Sequence, residues 1–133
     1  MTTPKICVID DDKIYQFTTK KIISNAGIKG EVLVFSDAEN ALEFFHQEFQ
    51  NKELLPDIIF LDINMPFMDG WQFLDAFGKI FPKFPKAIEV FLVSSSVDEA
   101  DTDRAAKIPI ISGYIFKPFT KEKLLESLAR LQS

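Results

Sequence analysis

Cysteine, histidine, positive charge and long apolar runs are all in short supply in this sequence, and each shortage closes off a class of function. The single Cys7 can form no internal disulfide and leaves no sulfur-rich metal site, which points to a reducing, cytoplasmic setting. The single His46, without a cysteine partner, argues against a zinc enzyme, a Cys-His hydrolase or a Ser-His-Asp triad. Lys and Arg number 15 against 20 Asp and Glu, a net charge of −5, so no basic surplus exists for a phosphate backbone or an anionic membrane. Direct nucleic-acid binding and membrane binding are therefore not expected. Near the N-terminus only Ile6 to Ile9 is apolar after Lys5, far short of a signal-peptide core or of the roughly 18 residues of a membrane span.

What remains is ample for a folded core: 133 residues, 47% of them hydrophobic, with 14 Phe. That is the size of one domain, and residues 1–133 are read as one. Met1 reads as a natural start, whereas Ser133 carries no mark of a natural end. Any chemistry must run on carboxylates, hydroxyls and lysine.

Short apolar runs at Ile6–Ile9, Glu31–Phe35, Ile58–Leu61, Val90–Val93 and Tyr114–Phe116 are too brief for helices and rich in branched or aromatic residues. They predict five buried strands. Between them lie segments of helical period: Ile14, Phe17, Ile22 and Ala26; Ala38, Ala41, Leu42, Phe45 and Phe49 after the N-cap candidate Asp37; and Leu124, Leu125, Leu128 and Leu131. Two weaker helices follow Asp69-Gly70, through Phe73, Leu74, Phe77 and Ile80 to near Pro82, and Ser96-Val97-Asp98-Glu99, which has capping-box spacing. Phe81 to Lys86 reads as an exposed loop. Alternating strands and helices, with strands apolar on both faces, predict a doubly wound α/β domain around a five-stranded parallel sheet.

Ligands of such sheets bind at the carboxyl ends of the strands. Here those ends carry Asp10-Asp11-Asp12, Asp62, Ser94-Ser95-Ser96 and Lys117-Pro118. Polar residues also mark where any strand leaves the core, but carboxylates converging on one rim repel unless a cation lies between them. Hard oxygen ligands suit Mg²⁺, which keeps positions for water or phosphate oxygens. Carboxylate, metal, ammonium and hydroxyl together suggest phosphoryl transfer. Asp62 is the best nucleophile, alone at the end of a central strand; Asp10 and Asp11 are placed to share a metal. Asp12 is read as the N-cap of the first helix in preference to a third ligand.

These residues resemble the receiver domains of two-component response regulators over essentially the whole chain. The resemblance rests on Ile9-Asp10-Asp11, on Leu61-Asp62-Ile63-Asn64-Met65-Pro66 followed by Met68-Asp69-Gly70, on Ser94, and on Tyr114 to Phe119 around Lys117-Pro118, in that order on the matching strands. It implies the strand order 2-1-3-4-5 and a cytoplasmic signalling module, not an enzyme beyond its own phosphorylation and dephosphorylation. It implies that Asp62 takes a phosphoryl group from a sensor histidine kinase or a histidine phosphotransfer protein. It further implies Mg²⁺ on Asp11, Asp62 and the backbone carbonyl of Asn64, with Asp10 acting through water. Lys117, after a cis bond to Pro118, would pair with the phosphate, Ser94 would hydrogen-bond it, and Tyr114 would turn inward, changing the face presented to a downstream protein target.

Two departures from the family pattern stand out. Ala106 to Gly113 is longer and more apolar than the usual Ala-Gly segment, and three serines follow Val93, of which Ser94 is favoured as the switch and Ser95 as a modulator of hydrolysis with Asn64. Cys7 reads as a core side chain and His46 as a solvated one. Phe67 and Phe119 are candidates for exposure beside the site, and Ile14, Tyr15 and Thr18 for docking the phosphodonor. Competing functions are a phosphorelay intermediate, a receiver-like module that binds partners without phosphorylation, and a haloacid-dehalogenase-type phosphatase, whose Asp-x-Asp-x-Thr/Val pattern Asp10-x-Asp12-Lys13-Ile14 matches only in part.

Overall fold

Branched and aromatic side chains fit a pleated surface covered on both faces, and each apolar run lies within or forms a strand except at Glu31, which precedes the second strand. In the computed structural model, which describes residues 3–96 and 98–132, these are β1 (Ile6–Ile9), β2 (Val32–Phe35), β3 (Ile58–Asp62), β4 (Glu89–Ser94) and β5 (Ile111–Phe116). Between and after them come α1 (Lys13–Asn25), α2 (Ala38–Glu48), α3 (Gly70–Ile80), α4 (Glu99–Ala106) and α5 (Lys121–Ala129). All pairings are parallel and the order is β2-β1-β3-β4-β5. Met1, Val97 and Ser133 lie outside the described residues. Among those described, no helix is long and apolar enough to cross a membrane.

Successive strand side chains point to opposite faces, so each strand feeds two cores. Cys7, Ile9, Ile59, Leu61, Val90 and Leu92 pack with the phenylalanines of α2 and α3. Ile6, Val8, Ile58, Phe60, Phe91 and Val93 pack with Ile23 of α1, Leu124 of α5 and Phe119. The first core is a lattice of rings: Phe77 lies 5.1 Å from Phe45, 5.2 Å from Phe73 and 5.4 Å from Phe84 between centroids. Offset and edge contacts of this kind add to the burial of the rings themselves.

Four expectations from the sequence need correction. The α1 face turned inward is Gln16, Thr19 and Ile23, leaving Ile14 78% and Phe17 66% exposed. Polar anchors set the phase of α1: Asp12 accepts the Ile14 and Tyr15 N–H groups, and the Gln16 amide donates to the Asp10 carbonyl and to Ser36 Oγ. Phe81 to Lys86 is not simply an exposed loop, because Phe81–Lys83 form a 3₁₀ turn, Phe84 is buried among the α2 and α3 rings, and Lys86 pairs with Asp57 at 2.9 Å. α4 is capped by Asp98, which accepts the Ala100 N–H, so Ser96 does not begin it; Ser96 Oγ instead accepts the Asp98 N–H. β5 begins at Ile111, three residues before Tyr114, and its register with β4 shifts between Val90 and Phe91. A Cβ on Gly113 would lie 2.7 Å from the Phe91 ring, so glycine there gives the ring its space.

Candidate functional site

Parallel neighbours bring their carboxyl ends to one edge of the sheet, and the polar residues that follow the strands gather there. The register sets Ile9 beside Leu61, Asp62 beside Val93 and Ser94 beside Phe116. Asp10, Asp11 and Asp62 each offer a carboxylate oxygen within 4.8 Å of the others. Asp10 and Asp62 are only 3% and 6% exposed, whereas Asp11 faces solvent. Lys117 Nζ stands 3.5 Å from Asp10 Oδ2 and 3.6 Å from Asp62 Oδ1.

Each member is held by its own supports. The Asp12 N–H donates to Asp10 Oδ1 at 2.9 Å, while Asp12 caps α1 as expected. Lys117 lies 4.0 Å above the Tyr15 ring, whose hydroxyl in turn accepts the Phe119 N–H at 2.8 Å. The Lys117 N–H donates to the Ser94 carbonyl at 2.8 Å, and the bond to Pro118 is cis. Asp62 is backed by α3: the Gly70 N–H donates to the Ile63 carbonyl, and a Cβ at Gly70 would meet Asp62 O and Ile63 Cα at 2.9 Å. Backbone atoms cannot yield as a flexible side chain does, so this approach requires glycine.

Charge at the site is strained in one direction. Burial, with the Asp10 charge adding to it, pushes the Asp62 carboxyl up to about 6 against the pull of Lys117 and the Asn64 N–H. Burial raises Asp10 as well. Lys117 is raised although burial works against it, because Asp10 and Asp62 together outweigh that effect. Three hard oxygen donors, two of them poorly solvated, fit a divalent cation such as Mg²⁺, whose charge would relieve their repulsion.

Ser94 is fully buried, with its Oγ accepting the Ser96 N–H at 3.0 Å; Ser95 is exposed. Asn64 is exposed. Tyr114 is half-buried, and its hydroxyl donates to the Ser96 carbonyl at 3.3 Å. Phe67 is 94% exposed, but Phe119, a candidate for exposure from the sequence, is 5% exposed and packs on Phe60 at 4.9 Å. Its backbone tie to Tyr15 draws it under the rim. Ile14 and Thr18 are exposed and Tyr15 half-buried. His46 is on the surface, and Cys7 is fully buried with its thiol pushed far upward by that burial. The sequence reading did not single out Gln16, and it placed Gly70 only at a helix start and in the Met68-Asp69-Gly70 motif, without this backbone role. The signal for Gln16 was a polar side chain one turn beyond the Asp12 cap; for Gly70, nothing local distinguishes close backbone approach from an ordinary turn.

Comparison with known proteins agrees with this geometry. The family model for the response regulator receiver domain matches residues 6–129. The chain is 32% identical over 126 residues to the chemotaxis protein CheY of Listeria monocytogenes, covering 95% of this chain and 96% of that protein. It is 32% identical to the protein PilG of Pseudomonas aeruginosa, covering 93% of this chain and 84% of PilG. The crystal structure of a two-component response regulator from Cytophaga hutchinsonii superposes with a TM-score of 0.89 at 27% identity, covering 99% of this chain and 98% of that one.

Proposed function

The chain belongs to the response regulator receiver domain family, and on that premise we propose that Asp62 is its phosphoacceptor, taking a phosphoryl group from the phosphohistidine of a histidine kinase or histidine phosphotransfer protein. A carboxylate oxygen of Asp62 attacks phosphorus, a P–O bond forms as the P–N bond breaks, and the imidazole leaves to take up a proton from solvent. The observation that carries this reading is the buried Asp62 carboxylate with Asp10 and Asp11 oxygens within 4.8 Å and the Lys117 ammonium at 3.6 Å.

Asp11, Asp62 and the Asn64 carbonyl would hold Mg²⁺, with Asp10 acting through water. Bound there, Mg²⁺ supplies charge neutralisation for the transferring group. Lys117 holds a phosphate oxygen as a point charge, with Asp10 and the Tyr15 ring fixing its position. Ser94 rotates to donate to the phosphate, giving up the Ser96 N–H it now accepts. Tyr114, released from the Ser96 carbonyl, turns inward and alters the face of α4, β5 and α5 that a downstream protein reads. Phosphate thereby shifts a population between two arrangements through contacts present in only one.

The domain spans residues 1–133 in this reading, works in the cytoplasm without touching nucleic acid or membrane, and catalyses only its own phosphorylation and dephosphorylation. The test is intact mass after incubation with Mg²⁺ and acetyl phosphate. One phosphoryl group on the parent, absent from Asp62→Asn and from a metal-free control, is the expected result. An unmodified parent would leave a receiver fold that binds partners without phosphorylation.

A further inference from the structure

α5 begins with a mismatch. Thr120 caps it, its Oγ1 accepting the Lys123 N–H at 3.2 Å, and a Glu or Gln at that third position would complete a capping box by reaching back to the N–H of the cap. The residue there is Lys123, a cation in the first turn of a helix, where the backbone dipole disfavours positive charge. Its side chain does not escape into solvent. Lys121 is exposed, but Lys123 is half-buried, its ammonium folded back to donate to the Phe116 carbonyl at 2.6 Å and the Pro118 carbonyl at 3.0 Å. Neither acceptor belongs to α5, and they stand on either side of Lys117. A lysine ammonium is a point charge on a flexible four-carbon stem, so its aim depends on how firmly its own backbone is held. The Lys117 N–H is tied to the Ser94 carbonyl and the Phe119 N–H to the Tyr15 hydroxyl, both at 2.8 Å. Those bonds secure N–H groups of the turn, whereas Lys123 secures its carbonyls. Pro118 has no N–H, so its carbonyl is the one backbone group by which hydrogen bonding can hold it.

We propose that Lys123 is a positioning residue for the phosphoryl chemistry: by bonding the carbonyls on both sides of Lys117, it fixes where the Lys117 ammonium meets the phosphate on Asp62. This rests on Asp62 being the phosphoacceptor. Hydrogen bonds from a charged donor are the stronger kind, and two of them immobilise a side chain that is ordinarily free. A lysine set against the helix dipole is thus explained by what it holds outside the helix.

Lys123→Glu separates the two roles, because capping and positioning predict opposite signs. The new carboxylate can accept the Thr120 N–H, so the variant is expected to melt no lower than the parent. It should nevertheless take phosphate from acetyl phosphate, with Mg²⁺, roughly tenfold more slowly, and bind beryllofluoride correspondingly more weakly. Lys123→Arg, which still donates, should recover most of both losses, and Lys121→Glu, the same charge change at an exposed position, should react at the parental rate. Hydrogen exchange reads the brace without phosphate. The Lys117 and Phe119 amides should exchange about tenfold faster in Lys123→Glu, while the Leu124 amide, bonded to the Thr120 carbonyl, keeps its protection. Parental uptake of phosphate by Lys123→Glu overturns the proposal. An equal loss in Lys121→Glu overturns it too, reducing the effect to long-range charge, and so does a loss of protection shared by Leu124, which would mean that α5 itself has frayed. A parent that takes no phosphate, although its turn loosens in Lys123→Glu, removes the phosphoacceptor reading and this proposal with it.

Discussion

β3 ends in Asp62 and leads to α3; β4 ends in Ser94 and leads to α4; an aspartate caps each helix. There the likeness stops. α3 buries Gly70, Trp71, Phe73, Leu74, Phe77 and Ile80, and its cap is reciprocal, Asp69 accepting the Gln72 N–H while the Gln72 side chain accepts the Asp69 N–H. α4 buries Ala105 alone and has only the one-way Asp98 cap. One helix is welded to the phenylalanine lattice and the other rests on the surface of the sheet. The carboxylate is thus backed by a platform that cannot give, while the hydroxyl leads into an element held by few buried contacts, the kind that opens first. Arg104 of α4, 4.5 Å above the Trp71 ring, is a link between the two.

The contrast breaks most visibly at Phe77. Phe77→Ala should cost about 3–5 kcal/mol in urea unfolding, because the ring is fully buried against four others. A loss under about 1 kcal/mol would mean that the lattice is not what secures α3.

Asp62→Asn tests what the platform withstands. The Asp62 carboxyl is raised from 3.8 to about 6, so between those pH values the native state keeps a proton that the unfolded chain has released, and stability falls as pH rises. Without metal, the variant should exceed the parent by on the order of 3 kcal/mol above pH 6, with the gap closing toward pH 4. Urea titrations at pH 4.5 and 7.5 in chelator read this directly; a gap that ignores pH refutes it. Added Mg²⁺ should stabilise the parent more than the variant and narrow the gap.

Gly70→Ala sharpens the comparison at the joint between β3 and α3. Its Cβ would press on Asp62 O and Ile63 Cα at 2.9 Å, with an expected cost of about 1–3 kcal/mol and a slower uptake of phosphate from acetyl phosphate. Full stability with parental uptake would show that the joint can relax.

The smallest effects belong to α4. Ala105→Gly should lose about 1 kcal/mol, and Arg104→Ala less than about 1 kcal/mol while changing Trp71 fluorescence. If either matched Phe77→Ala, the two helices would be equally anchored and the contrast would fail.

Much of this is legible in the sequence, and for a physical reason. Strands buried on both faces must be apolar throughout, so Ile6–Ile9 and Ile58–Leu61 stand out, and so do the charges that follow them at the rim. What stayed hidden depends on contacts between distant segments. The phase of α1 could not be read from Ile14 and Phe17, because Gln16 reaching Asp10 and Ser36 overrides apolar spacing. Phe119 goes under because Tyr15, 104 residues away in sequence, holds its backbone. The start of β5 is masked by Ser112 and Gly113, a register shift and a gap for the Phe91 ring, neither of which has an apolar signature.

Cys7 lies within β1, hydrogen-bonded between β2 and β3, and has no exposed surface. It is also the only thiol in the sequence. A thiol-seeking dye therefore finds nothing to react with until the middle of the sheet parts, and its uptake counts those openings one molecule at a time. The purified chain thus carries its own stopwatch, one read from a single thiol.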